Sequence, residues 1–506
     1  MNIKRAFRIN IGETLLPDAA RASSAVNRPL RRFAQDALRY LPAKLIPSVA
    51  AFASVFIFTR IFTPEDYGIY SLVISIVAPV AVVLTEWAAQ PTGRFFSEYE
   101  RQGNLQTYRS TLGALLMVVG VAGCIAGIGL AVFISHLWGL SIGLAAGFLL
   151  LIQSFYSLIL PIIPASLDPW FYRFLEVVRA LLQLGFSLSL ILLLGTHPAF
   201  LVWGMALGFA VLSPLLFQRV SKKVGGLQWS FHITSDIRRF VRYGLPMMVW
   251  FFAGQLLNVG DRYVLQVFRG STEVGIYSAN YSLATGVASL LSAPVMLAAF
   301  PIIMYMWADR QRENIRKTIS SMTEWYLLLG IGILGSTLVT ARDLISLVFG
   351  QAFREGHTAL VPVLAGQILW QASILGHKGM ELTENTKVML KWACVAAVAN
   401  FGLNILLVPS YGYLAAAYTT LFSYGLYAFL IWRSSKYYIA WDIHFKSIGL
   451  ASLIATLGII LAYTARIEPV LWQAILRAGI FLIVYAAGVF SLKRKEIRRA
   501  LKGEEQ

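Results

Sequence analysis

The chain has 506 residues, 57% of them apolar and only 13% charged, with a mean hydropathy of +0.66; a soluble protein carries about 25% charged residues. A soluble enzyme is therefore excluded. The formal charge of +18 would suit nucleic acid only if the basic residues clustered on one soluble face, and here they lie scattered between apolar runs.

The chain opens with a basic tail, residues 1–41, that lacks the continuous apolar core of a secretory signal. From Pro29 to Lys44, Leu30, Phe33, Ala34, Ala37 and Leu41 fall on one helical face, which fits an interfacial amphipathic helix or, equally, a solvated basic tail. At roughly 20 apolar residues per crossing, spans follow at 42–62, 67–90, 110–134, 139–163, 173–194 and 199–220. A polar linker, 221–244, precedes spans at 245–267, 275–304, 323–341, 356–380, 387–408 and 412–433. A last pair at 447–465 and 469–491 and a tail from 492 to 506 complete the chain. The expected fold is all-α and membrane-embedded: fourteen helices, in an N-lobe (42–220), a C-lobe (245–434) and an extra pair (435–491).

Lys and Arg test that count, because short loops that hold them stay in the cytoplasm. With fourteen spans, 35 of the 43 basic residues fall on one side and six on the other, while Arg179 and Arg477 lie within spans. A missed span would scramble every later loop. Both termini are thus expected in the cytoplasm. Cys124 and Cys394 both sit in apolar runs, so neither a disulfide framework nor a metal site is implied. No far-side loop exceeds about 20 residues, which weighs against membrane glycosyltransferases.

Self-comparison reveals a repeat. Asp66-Tyr67-Gly68-Ile69-Tyr70-Ser71 after span one returns as Glu273-Val274-Gly275-Ile276-Tyr277-Ser278 after span seven, an offset of 207. Gln153-x-x-Tyr156-Ser157 in span four returns as Gln367-x-x-Trp370-Gln371 in span ten, an offset of 214. Six spans per repeat is even, so the two lobes share one orientation about an axis along the membrane normal.

At these residues the sequence resembles the polysaccharide transporter branch of the multidrug/oligosaccharidyl-lipid/polysaccharide exporter superfamily, the Wzx-type flippases. The resemblance covers spans one to twelve. It rests on Thr59 to Ser71, on Asp261 to Ser278, and on Asn400-x-x-x-Asn404-x-x-x-x-Pro409-x-x-Gly412-x-x-Ala415-Ala416-Ala417-x-Thr419, where the family usually has Gly in place of Ala415. Gly68, Tyr70, Gly275, Tyr277, Asn400, Asn404, Pro409 and Gly412 are read as structural motif positions. The resemblance implies an alternating-access exporter of polyprenyl-diphosphate-linked oligosaccharide, an O-antigen or exopolysaccharide repeat unit, in the bacterial inner membrane. Many relatives have twelve spans; fourteen also suits a peptidoglycan-precursor flippase.

Polar residues within spans mark candidate sites, because a charge at mid-bilayer costs about 2.5 to 3.5 kcal/mol on insertion scales. Gln255, Asn258 and Arg262 share one face of span seven, with Asp261 beside them, and Gln367, Gln371, Lys378 and Glu381 form a stripe on span ten. Each stripe fits a wet cavity or, alternatively, interhelical hydrogen bonds worth about 0.6 kcal/mol each. An export cavity for a diphosphate needs cations that grip it. Arg60, Arg262, Lys378 and Lys391 are the candidates, against rim pairs of Arg60 with Glu65 or Asp66 and of Arg262 with Asp261, and an ordinary cytoplasmic flank for the two lysines. Arg179 has Glu176 as a partner three residues away. Glu86, Asp261 and Glu381 are candidates for ion coupling or salt bridges, Glu86 with Arg94. Arg477 is expected to snorkel or to face the lobes.

The reading is a flippase without catalytic residues, cofactor or metal. Its partners are the lipid-linked glycan, membrane lipids and polysaccharide polymerase machinery, with no nucleic acid and a monomeric state. A nucleotide-binding loop of the Gly-rich Lys-Ser/Thr type is absent from the sequence. Rival readings are a cation-coupled multidrug exporter of the same superfamily, a lipid II flippase and a membrane glycosyltransferase.

Overall fold

The computed structural model describes residues 42–226 and 235–502; the tail helix expected from residue 29 falls almost wholly outside them. Among the described residues the regular elements are helical: α1 (Pro42–Ile61), α2 (Pro64–Arg101), α3 (Leu105–Trp138), α4 (Leu140–Ile159), the one-turn α5 (Ile162–Ala165), α6 (Pro169–Leu194), α7 (Ala199–Val224), α8 (Ser235–Arg269), α9 (Ser271–Ala308), α10 (Arg312–Val348), α11 (His357–Gly376), the short α12 (Lys378–Leu382), α13 (Thr386–Ser435), α14 (Phe445–Thr464) and α15 (Val470–Lys502). Ten helices are long and apolar enough to cross a membrane, and each of the fourteen expected spans coincides with a helix, spans eleven and twelve being the halves of α13. Large apolar side chains such as Ile125, Ile128, Val132, Leu192, Leu453 and Ile483 are exposed. A bilayer solvates them.

Local chemistry sets the helix ends. Thr63 caps α2, its hydroxyl accepting from the Asp66 amide at 3.2 Å, with Pro64 in the first turn, where no amide partner is needed. Asp168 caps α6 in the same way by accepting from the Phe171 amide. Gly412, at φ 57° and ψ −143°, breaks α13, a conformation strained for any residue with a Cβ. A Cβ there would also stand 2.2 Å from the Glu273 carboxylate. That carboxylate accepts from the Tyr413 amide at 2.9 Å, a donor freed by the break, and is held by Arg269 at 2.7 Å.

Two large apolar cores result. One runs through α2 to α7, with Leu112, Leu149, Ile162 and Val202 fully buried; the other joins α8 to α13 around Leu265, Tyr277, Tyr326, Leu364 and Tyr427. The halves exchange ends. Val55 and Phe58 of α1, Phe62 just beyond its end and Tyr67 of α2 enter the second core, while Phe240 of α8 enters the first. Residues 235–244, expected within a polar linker, are the first turns of α8, with Phe240 and Gly244 buried.

The repeat motifs meet face to face. A Cβ on Gly68 would stand 1.9 Å from the Ser271 carbonyl oxygen, and one on Gly275 would stand 1.8 Å from that of Pro64; each contact is the other's image at the repeat offset. Only glycine permits this helix crossing. At the opposite, basic end, Gly244 of α8 meets the Trp87 carbonyl of α2 at 1.8 Å by the same measure. There Arg239 pairs with Glu98 at 2.7 Å and Tyr99 donates to Asp236 at 2.6 Å.

The extra pair is fixed to α10. Phe481 and Tyr485 of α15 fill the spaces beside Gly335 and Gly332. Arg477, expected to snorkel or face the lobes, binds the buried Asp343 of α10 at 3.2 Å, and Lys493 binds the buried Glu324 at 2.6 Å.

Candidate functional site

A cavity of about 480 Å³ lies between the two cores, walled by α1, α2, α6, α7, α8 and α9. A second chamber of about 650 Å³ shares Pro47, Ala51, Asn258, Arg262 and Ser282 with it. A third, about 270 Å³, lies among α8, α9, α11 and α13, and touches the others through Gln255, Asn258 and Thr285. Asn258 lines all three.

The polar stripe of span seven accordingly faces the cavity: Gln255, Asn258 and Arg262 all line it. Arg262 is 9% exposed. Its Nε donates to Ser278 of α9 at 3.0 Å and its Nη1 to Ser75 of α2 at 3.3 Å, so one guanidinium bridges both halves of the molecule. The ring of Tyr281 lies 5.0 Å from its centre. Among the described residues its hydrogen-bond partners are thus hydroxyls. The guanidinium's hydrogen bonds go to neutral hydroxyls, while the neighbouring Asp261 carboxylate acts on it through space without bonding to it, so its N–H groups can be taken over by a stronger acceptor such as an anion.

Asp261 does not pair with this cation, contrary to the rim pair weighed for it. It is 0% exposed and accepts from the hydroxyls of Tyr277 and Thr420, with its other oxygen on the Arg262 amide at 3.0 Å. Arg179 of α6 lines the same cavity as Arg262 and is paired at 2.7 Å with Glu176, which lines the second chamber. In the sequence they read as an isolated pair, because nothing within one helix says which neighbour it faces.

Gln367 and Gln371 of span ten line the third chamber, and Gln367 donates to Tyr281 at 2.9 Å. The rest of that stripe leaves it. The short helix α12 turns away after His377, so Lys378 binds Glu381 at 2.6 Å and Glu381 also meets His377 at 3.0 Å. Lys391 is exposed and lies 4.6 Å over Trp392. Arg60 sits at the Gly68 end, 3.8 Å over Phe56, and donates to the Leu347 carbonyl at 2.6 Å instead of pairing with Glu65 or Asp66, since Asp66 takes the Thr63 hydroxyl. None of these three cations lines the three chambers. Glu86 accepts from Gln90 at 2.7 Å, while Arg94 turns to Tyr243.

The motif residues build the support. Tyr277 holds Asp261, and Tyr70 lines the cavity. Asn400 donates to Ser423 at 2.9 Å, Asn404 donates to Asn400 at 3.0 Å, and Thr419 donates to Asn404 at 2.6 Å, tying the halves of α13 together behind the cavity. Pro409, which lacks an amide donor, stands three residues before the break at Gly412.

A family model described as polysaccharide biosynthesis protein matches residues 33–307, more than half of the chain. An uncharacterized membrane protein of Methanocaldococcus jannaschii is 23% identical over 331 residues, 63% of this chain and 64% of that protein. The probable low-salt glycan biosynthesis flippase Agl15 of Haloferax volcanii is 21% identical over 214 residues, 42% of this chain and 45% of that one; the matches thus span less than two thirds of either relative. Among solved structures, the lipid II flippase MurJ in an inward closed conformation superposes with a TM-score of 0.74 at 15% identity, over 90% of this chain and 99% of that one. An inward-facing multidrug resistance MATE family transporter of the MOP superfamily gives 0.55 at 14% identity, over 80% and 93%. These two likenesses concern the fold. With the family model covering more than half of the sequence and the two-lobed helical architecture agreeing, the chain belongs to the polysaccharide biosynthesis protein family.

Proposed function

We propose that this multi-pass membrane protein is a flippase for a glycan linked to a polyprenyl diphosphate, an O-antigen or exopolysaccharide repeat unit, moved from the cytoplasmic to the outer leaflet of the plasma membrane. The observation that carries the reading is Arg262, a cavity cation whose guanidinium, among the described residues, hydrogen-bonds to two hydroxyls, one from each half of the molecule. A diphosphate is a stronger acceptor than Ser75. When it binds, it displaces the Ser75 hydrogen bond by which Arg262 reaches α2, so occupancy and separation of the halves are linked. The Gly68 and Gly275 crossing then opens while the contacts of Gly244 and Arg239 close the basic, cytoplasmic end. No covalent chemistry is involved; Asp261 is the candidate coupling group, and a membrane polymerase is the expected consumer of the glycan delivered by this monomeric carrier.

Complementation tests the reading. The gene should restore export in a strain lacking its polysaccharide flippase, with loss of the accumulated lipid-linked sugar. Rescue only of a strain lacking the peptidoglycan-precursor flippase would assign the cargo to lipid II, and persistent accumulation in both strains would contradict the proposal.

A further inference from the structure

We infer that the third chamber is a glycan compartment selective for uncharged sugar rings, set apart from the Arg262 chamber that receives the diphosphate. This rests on the flippase reading and adds a division of labour to it. Three observations point the same way.

The first is composition. The chamber is walled by Trp250, Phe251, Trp370 and Tyr424 together with the amides of Gln255, Asn258, Gln367 and Gln371, and among the described residues no carboxylate, Lys or Arg lines it. The C–H face of a sugar ring is apolar and carries slight positive charge, which suits the negative face of an aromatic ring, while side-chain amides offer both donors and acceptors to hydroxyls.

The second is unspent hydrogen-bonding capacity. Thr285 Oγ1 is buried and has no hydrogen-bond partner, and it lines both this chamber and the second one. Buried polar atoms ordinarily find partners. The oxygen is shielded from the chamber in this conformation, and a turn of the Thr285 side chain about its Cα–Cβ bond would bring it to a sugar hydroxyl.

The third is continuity. Gln255 and Asn258 belong to this chamber and to the Arg262 cavity alike, so a sugar seated here lies next to a diphosphate held at Arg262. Trp370 is also kept in place from behind, with its ring centroid 4.8 Å from that of Tyr427 and 5.1 Å from that of Tyr424. A carboxylate sugar would enter this space without a cation to meet it, and burying an unpaired charge is costly.

The test uses purified full-length protein in nanodiscs and three probes of equal prenyl length: a bare prenyl diphosphate, the same lipid bearing one N-acetylhexosamine, and the same lipid bearing one hexuronic acid. Wild type should bind the N-acetylhexosamine probe about tenfold more tightly than the bare diphosphate, the gain of one stacked ring and its hydrogen bonds, and should show no such gain for the hexuronic probe. Trp370→Ala should erase the gain, and Gln371→Leu should reduce it while leaving the thermal midpoint near wild type. Arg262→Ala should weaken all three probes alike. Equal wild-type affinity for the bare and N-acetylhexosamine probes, or an equal gain for the hexuronic one, would overturn the compartment and leave the flippase reading standing. Binding of no probe in an Arg262-dependent manner would overturn both.

Discussion

Ser71 donates a hydrogen bond to Ser278 at 2.7 Å, and these two residues are the same position of the repeat, 207 residues apart. The pseudo-twofold axis therefore passes close to this contact. Gly68 and Gly275 stand one turn away on each side, each against the backbone of the other repeat. Gly275→Ala should separate the helices and destabilise the closed form by about 1 to 3 kcal/mol, the ordinary cost of overpacking. Gly402→Ala, where a Cβ meets nothing within 4 Å, should not lower the thermal midpoint, since alanine is the better helix former. A double-mutant cycle on Ser71→Ala and Ser278→Ala should return a coupling of about 0.6 kcal/mol, the average for such bonds in bundles.

Arg477 and Asp343 are both largely shielded, with side-chain exposures of 14% and 10%. Removing one member of such a pair leaves a buried charge, a loss of about 3 kcal/mol. Arg477→Met should therefore destabilise the protein in a detergent unfolding titration, and Asp343→Asn added to it should recover part of the loss. If the double variant is no better than the single, the pair does not hold α15 to α10.

The break in α13 depends on Glu273 at a distance in sequence. Its carboxylate caps the Tyr413 amide, and loss of an N-terminal cap costs about 1 kcal/mol. Glu273→Ala should lower the unfolding free energy by about that amount, and Glu273→Gln, which keeps an acceptor, should lower it less. Hydrogen exchange at the Tyr413 amide reports the same contact directly.

Asp168 lies between spans, where it caps α6 and meets Arg219 at 2.7 Å and Lys223 at 3.6 Å. Burial pushes its carboxyl up, but the Arg219 guanidinium, the Phe171 amide and Lys223 outweigh this and hold it below the usual range. A carboxyl depressed in the folded state stabilises it above the unfolded value, about 3.9, and that stability disappears as pH falls through the lower folded value. Thermal midpoints measured between neutral pH and pH 3 should fall, and Asp168→Asn should be less stable at neutral pH with a shallower acid decline.

Much of this architecture is written locally. The Gly68 motif, its echo at Gly275 and the Asn400 to Gly412 motif can each be read within a short stretch, and the helices follow them closely. The polar face of Gln255, Asn258 and Arg262 was legible for the same reason: three residues of one helix share a direction. Partners remote in sequence were not. Arg60 finds its carbonyl at Leu347 and Asp261 finds Thr420, pairings that no pattern within a span encodes. The span-ten stripe fails beyond Gln371 because α11 ends at Gly376 and the helical phase is lost. Trp250, Trp370 and Tyr424 went unnoticed as a group, since an aromatic residue in an apolar run reads alike whether it faces a core or a cavity. Arg179 and Glu176 show the converse, a pair legible on one helix whose place in the cavity wall only the packing of α6 reveals.

In the proposed function, Arg262 serves a diphosphate-linked glycan on its way through the membrane. The most direct measurement places the protein in proteoliposomes loaded with a prenyl-diphosphate disaccharide and follows the rate at which the glycan becomes accessible to a membrane-impermeant glycosidase. Exposure should be faster than in protein-free vesicles and should fall by at least about tenfold, equivalent to about 1.4 kcal/mol, for Arg262→Ala at unchanged protein content and thermal midpoint. Exposure no faster than in empty vesicles, or equal rates for wild type and Arg262→Ala, would contradict that role.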